Sequence, residues 1–225
     1  MTRRRRLSPR GAAVALAAGP LAFVTAWAVL GTGRPGYSPR HTTISHLAEK
    51  GASSAPGMTL GFLAFAVLVP LGSRTIERVT GSAGARRAAI GAGAGSLAVA
   101  AFALGYSTAG DRLHVAAASV TYGSMVLIPL LAARSLAHAG RRGRVLSVVV
   151  GAWSALALAA SAGAVDAGGL QRLGLGLVDL WLVVVAVIAL GDPALGGGRQ
   201  DGFTADAPLP AGVIEGRPGQ GLPRT

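Results

Sequence analysis

Six stretches of the chain, at 11–31, 56–73, 88–107, 112–133, 145–164 and 173–190, are apolar along their whole length rather than at every second or fourth position. A bilayer core about 30 Å thick needs roughly 20 such residues of helix, and a helix that is apolar all round has no water-facing side. The pattern therefore predicts an all-α fold: a polytopic membrane helix bundle with six transmembrane helices. Pro20, Pro70 and Pro129 fall within or near the ends of these runs. Membrane helices tolerate proline, so each predicts a kink and not a break.

Between the first two runs lies YSPRHTTISHLAEKG, residues 37–51, which is far more polar than its surroundings. Ser38 suits an N-cap, Pro39 the first helical position and Gly51 the residue just past the end, so 39–50 reads as a short helix. At about 1.5 Å per residue it would be roughly 18 Å long and could not span. A helix there puts His41, Ser45 and Glu49 on one face, with Ile44, Leu47 and Ala48 on an apolar one.

Charge adds an orientation. Sixteen of the 21 basic residues fall in the N-tail, the second and fourth connections and the C-tail. Arg34, Arg40, Lys50, Arg112 and Arg172 are the five on the other side. Short basic segments stay cytoplasmic, so the reading is a multi-pass plasma-membrane protein with both termini cytoplasmic and the 39–50 helix extracytoplasmic. Residues 1–10 form a basic cytoplasmic N-tail, 11–190 the membrane domain, and 191–225, rich in glycine and proline, a disordered cytoplasmic C-tail. Ala26-Trp27-Ala28 fits a signal-peptidase pattern, but in so alanine-rich a chain a retained first helix is the favoured reading.

Composition agrees with the membrane class: 51% hydrophobic and 13% charged, with mean hydropathy +0.52. The net charge of +12 sits in short connections without a basic helical stripe or interleaved aromatics, which argues against nucleic acid as a partner; the lipid bilayer is the expected one. The absence of cysteine excludes thiolate chemistry and disulfides.

Three of the four histidines and four of the nine acidic residues fall on the extracytoplasmic side or in that half of the bundle. Asp111 and His114 stand one turn apart at the start of the fourth run. Asp166 ends the fifth, Gln171 and Arg172 begin the sixth, and Asp179 lies two turns deeper. An ionisable residue at that depth costs roughly 2.5 to 3.5 kcal/mol, so it should face the bundle interior and find a partner. Arg172, near the same face, is the expected one. A site, on this distribution, opens outward.

The stretches GYSPRHTTISHLAEKGASSAPGMTLGF, GYSTAGDRLHVAAA and GGLQRLGLGLVDLWL, in this order and loop placement, resemble the bacterial and archaeal membrane family known as domain of unknown function 998, over about 11–190. The likeness rests on Tyr37 with the Ile44-Ser45 pair, on Asp111 with His114, and on Gly169 with Arg172. Many members carry an acidic residue after the Ile-Ser pair, where this chain has His46. The resemblance implies a six-helix membrane fold and no activity.

His41, Ser45, Glu49, Asp111, His114, Asp166, Gln171, Arg172 and Asp179 are thus the candidate ligand-binding residues. A pocket binding or processing a lipid-like or small ligand at the outer leaflet is the leading reading. One alternative is a metal-dependent hydrolase: His114, Asp111, His41 and His46 are of the type that holds zinc, with Ser45 or Glu49 assisting a bound water. No short ligand motif supports it. A metal-free Ser45, His114, Asp111 triad lacks a nucleophile elbow. The other alternative is a small-solute or proton-coupled transporter working through an Asp179–Arg172 pair. Capping and hydrogen bonding at the outer end of the fourth helix explain Asp111 and His114 as well, and a static interhelical pair with Arg172 or Asp111 explains Asp179. GAGAG, residues 91–95, reads as close helix packing, and the tyrosines and tryptophans as interface anchors or packing residues.

Overall fold

The computed structural model describes residues 7–136 and 140–193; the readings of the tails at 1–6 and from 194 onward lie outside them. Among the described residues the chain forms α1 (Pro9–Gly33), a short 3-10 helix (Ile44–Ala48), α2 (Ala55–Thr80), α3 (Ala83–Ala101), α4 (Thr108–Ser135), α5 (Arg141–Ser161) and α6 (Ala167–Gly191), with no strand. Five of these, α1, α2, α4, α5 and α6, are long and apolar enough to cross a membrane by length and composition. Pro20, Pro70 and Pro129 lie inside α1, α2 and α4.

Serine caps set several of the starts. Ser8, Ser82 and Ser107 accept from Gly11, Ala85 and Gly110 backbone N–H groups at 3.0, 3.1 and 3.0 Å, satisfying donors that the first turn leaves free. Gly81 ends α2 in the left-handed region, at φ 73°, and Ser82 starts α3 at once. The third helix therefore begins at residue 83 and ends at 101, displaced toward the N-terminus from the apolar run at 88–107, because its first turns carry Arg86 and Arg87.

Each helix packs against the next in sequence, and α6 returns to α1, closing a ring. In an apolar solvent such contacts rest on close packing rather than on water exclusion, and small residues supply it. A Cβ on Gly72 would lie 2.6 Å from the Leu16 Cα, and one on Gly95 2.9 Å from the Thr121 backbone nitrogen. Gly93 faces Pro70 in the same way, so GAGAG is a packing surface. Leu16, Val69, Met58, Ile76, Met125, Ile128 and Leu182 fill the interior. The outside presents Val14, Leu21, Leu60, Val67, Val120, Leu127, Leu180 and Val187, an apolar exterior suited to lipid.

The up-and-down order brings the α1–α2, α3–α4 and α5–α6 connections to one end. They are tied together there. Lys50 N–H donates to the Leu104 carbonyl at 2.9 Å, and Gly169 N–H to the Arg40 carbonyl at 2.7 Å.

These ties overturn the expected helix at 39–50. Residues 39–42 form turns, Thr43 is extended at φ −68° and ψ 157°, and only Ile44–Ala48 is helical, as a 3-10 turn. The carbonyls of Pro39 and Thr42 accept from Arg172, and that of Arg40 from Gly169. These bonds to α6 hold residues 39–42 in turns and not in a continuous helix.

Candidate functional site

The α1–α2 connection lies across this end of the bundle as a roof, and polar side chains of α6 hold it. Gln171, buried, accepts from the Ile44 N–H at 2.7 Å and donates through Nε2 to the Tyr122 hydroxyl. Arg172 donates through Nη1 to the carbonyls of Pro39, Thr42 and Gly168 at 2.7, 3.0 and 2.9 Å, and through Nη2 to the Tyr37 hydroxyl. Its guanidinium also sits over the rings of Trp27 and Tyr37, 5.3 and 5.6 Å from their centroids. Burial pushes the Tyr37 phenol up, against the opposing pull of the Arg172 charge.

Ion pairs fix the rim. Arg34 contacts the Glu49 carboxylate at 2.5 Å and the His46 carbonyl. Arg40 binds Asp166 through two parallel bonds of 2.8 Å, and His41 lies 3.2 Å from the same carboxylate. The Arg40 hydrogen bonds hold the Asp166 carboxyl below the usual carboxylate range.

Beneath the roof, between α4 and α5, is a pocket of about 560 Å³. Thr43, Ser45, His46, His114, Ser119, Tyr122, Ser161 and Gln171 give it polar groups, and Leu104, Val115, Ala118, Leu158 and Ala162 apolar ones. Val115, Ser119 and Ala162 are exposed on its rim. A void of about 20 Å³ adjoins it through Ser45, Ala118, Tyr122 and Gln171, room for about one water molecule.

His114 is 3% exposed. Its Nδ1 donates to the Phe102 carbonyl at 2.7 Å, while its Nε2 has no hydrogen-bond partner. His46 Nδ1 meets the Thr43 hydroxyl at 2.8 Å.

Of the residues expected from sequence, Ser45, His46, His114 and Gln171 share this pocket. His41 and Asp166 pair on the rim, Glu49 turns to Arg34, and Arg172 braces the roof. His41, Ser45 and Glu49 therefore do not form one face. Asp111 accepts from the Gly105 N–H at 2.8 Å and His114 turns to Phe102, so the Ser45, His114, Asp111 triad is not assembled. Among the described residues no group of three or more His, Asp or Glu side chains could hold a metal ion; the four candidate zinc ligands are committed to separate partners. Asp179, 2% exposed, has both carboxylate oxygens buried without a partner, so the expected pair with Arg172 is not made.

Three contributors went unmarked in the sequence. Tyr122 lies in the middle of an apolar run, where a hydroxylated aromatic reads as packing. Arg34 figured only in the charge count. Gly168 lets the start of α6 touch the roof: a Cβ there would lie 2.6 Å from the Pro39 carbonyl oxygen. The pair Gly168-Gly169, one residue before Gln171-Arg172, was the available signal.

No curated protein and no solved structure gives a significant match to the chain. The family model described as protein of unknown function (DUF998) matches residues 17–188, the span that holds five helices nearly entire, most of α1, the roof and the pocket. The chain belongs to the DUF998 family.

Proposed function

We propose that the chain is a plasma-membrane protein whose six helices all cross the bilayer, with both termini cytoplasmic, and that it binds the head of a lipid-like or small ligand in the pocket between α4 and α5 on the extracytoplasmic side. The distribution of arginine supports the orientation. The packing of α3 between α2 and α4 supports six crossings, since a helix flanked by two spanning neighbours shares their depth.

The observation that carries the binding reading is the pocket itself. Its volume of about 560 Å³ falls in the range, roughly 300 to 1,000 Å³, of sites that enclose small molecules. Ser45, His46, His114 and Gln171 bring polar atoms to it, and His41, Glu49, Asp166 and Arg172 hold the roof above them. The exposed Val115 on the rim gives an acyl chain an apolar exit toward the bilayer.

Native mass spectrometry of the protein released from its own membrane tests this. The wild type should retain a bound small molecule, and Ser119→Trp, which fills the mouth from an exposed position, should lose it. Equal retention by both would sink the reading.

A further inference from the structure

We propose that a groove at the end of the bundle opposite the roof seats an anionic phospholipid, with one acyl chain in the groove and the phosphate at Arg78, Arg142 and Arg144. The site is separate from the pocket under the roof and stands or falls independently of it.

The groove, of about 500 Å³, runs between α5 and α6 against the last turn of α2. On α6 it follows Leu177 to Ile188, about 16 Å of helix. Val150, Trp181 and Val185 are buried in its floor, whereas Leu146, Leu180 and Ile188 are more than half exposed along its edges. It therefore opens sideways from the bundle, on the surface that faces lipid. The polar side chains in it are bonded within the protein: Thr80 donates to the Ile76 carbonyl at 2.7 Å, and the Trp181 indole to the Ser147 hydroxyl at 3.1 Å. What the groove offers is apolar surface, which suits a hydrocarbon chain and not a polar solute.

No charged residue lines the groove, but its end is cationic. Arg142 and Arg144 flank Gly143, and Arg78 directly precedes Val79 and Thr80; Gly143, Val79 and Thr80 all belong to the lining. The three arginines are exposed. Unlike Arg34 and Arg40 at the roof, none of them is ion-paired among the described residues. The acidic side chains described at this end are Glu77, which pairs with Arg86 at 3.0 Å, and Asp192 at the end of α6. An apolar groove that ends in unpaired arginines complements an anionic phospholipid. Arginine grips phosphate oxygens through parallel N–H donors, and basic sites between membrane helices attract anionic head groups. A zwitterionic lipid brings its own cation to the same place and gains less.

The test uses the full-length protein in lipid nanodiscs with two photoreactive probes of identical acyl chains, a phosphatidylglycerol and a phosphatidylcholine. Crosslinked peptides are located by mass spectrometry. Phosphatidylglycerol should label α5 at 143–150 or α6 at 177–188 at least fivefold more than phosphatidylcholine, about the effect of one arginine on an anionic head group. Arg142→Gln combined with Arg144→Gln should lower that ratio severalfold. Arg87→Gln, on a helix that contributes nothing to the lining, should leave it unchanged. Both changes are at exposed positions, and melting curves confirm that the variants keep their fold. Equal labelling by the two probes, or an equal loss of preference in Arg87→Gln, would overturn the head-group assignment. Absence of groove labelling by either probe would overturn the site, and crosslinks from the groove to a second copy or to the chain's own tail would then name what covers it.

Discussion

Arg172 donates through Nη2 to the Tyr37 hydroxyl across 135 residues of chain, joining the start of the last helix to the segment that follows the first. The same guanidinium reaches three carbonyls, a fan of donors that a lysine ammonium lacks. Arg172→Lys should therefore loosen the roof by about 1 to 3 kcal/mol, the cost of buried acceptors left unsatisfied. The measurement is hydrogen exchange of residues 37–48 together with the melting temperature. Unchanged exchange would show that another contact holds the segment.

Gly168 and Gly169 make a matched pair. A Cβ on Gly168 would collide with the carbonyl oxygens of Pro39 and Thr42, whereas one on Gly169 would come no nearer than 3.6 Å to the Arg40 carbonyl. Gly168→Ala should cost about 1 to 3 kcal/mol through forced backbone movement, and Gly169→Ala should be tolerated. Equal melting temperatures for the two variants would refute the steric account.

Asp179 carries two buried oxygens without partners, a liability of about 1 to 3 kcal/mol for polar groups of this kind. Asp179→Leu should raise the melting temperature in detergent, because an apolar side chain removes the unsatisfied atoms. A large loss instead would mean that the carboxyl makes an interaction essential to the bundle.

The Arg40–Asp166 pair gives an acid-side dependence. The Asp166 carboxyl titrates below its ordinary value of 3.8 in the folded protein, so the unfolded chain binds its proton first. The pair's contribution is complete above that ordinary value and disappears as pH falls through the lower, folded one. Both groups are exposed, so the effect is small. Melting temperature followed through the acid range should decline more steeply for the wild type than for Asp166→Asn; superimposable curves would count against the pair.

Sequence made the helices legible because unbroken apolar runs have few other uses, and the stacking of Gly93 and Gly95 was readable from small residues in mid-span. It misplaced α3, since Arg86 and Arg87 masked a helix whose start is set by Ser82. It also misread 39–50: local capping residues favoured a helix, but hydrogen bonds from Arg172 and Gly169 hold residues 39–42 in turns. Neither partner is near in sequence, so no local rule exposes the competition. For the same reason, proximity along one helix suggested that Arg172 would meet Asp179, whereas Arg172 turns away to the roof. Of the site, Ser45, His46, His114 and Gln171 were identified, while Tyr122, inside an apolar run, was not.

The bonds from Arg172, Gln171 and Gly169 to residues 37–44 also set an order of assembly. A ribosome delivers the α1–α2 hairpin early, and the groups that α6 will bind then have water as their partner. They gain their permanent ones only after more than a hundred further residues have been made and the sixth helix has inserted. Contacts so distant in sequence form late, so the roof closes as one of the last events of biogenesis. A nascent chain stopped before Gly168 would display the 37–44 segment unclamped, a difference that membrane quality-control proteases can read as the mark of an unfinished molecule.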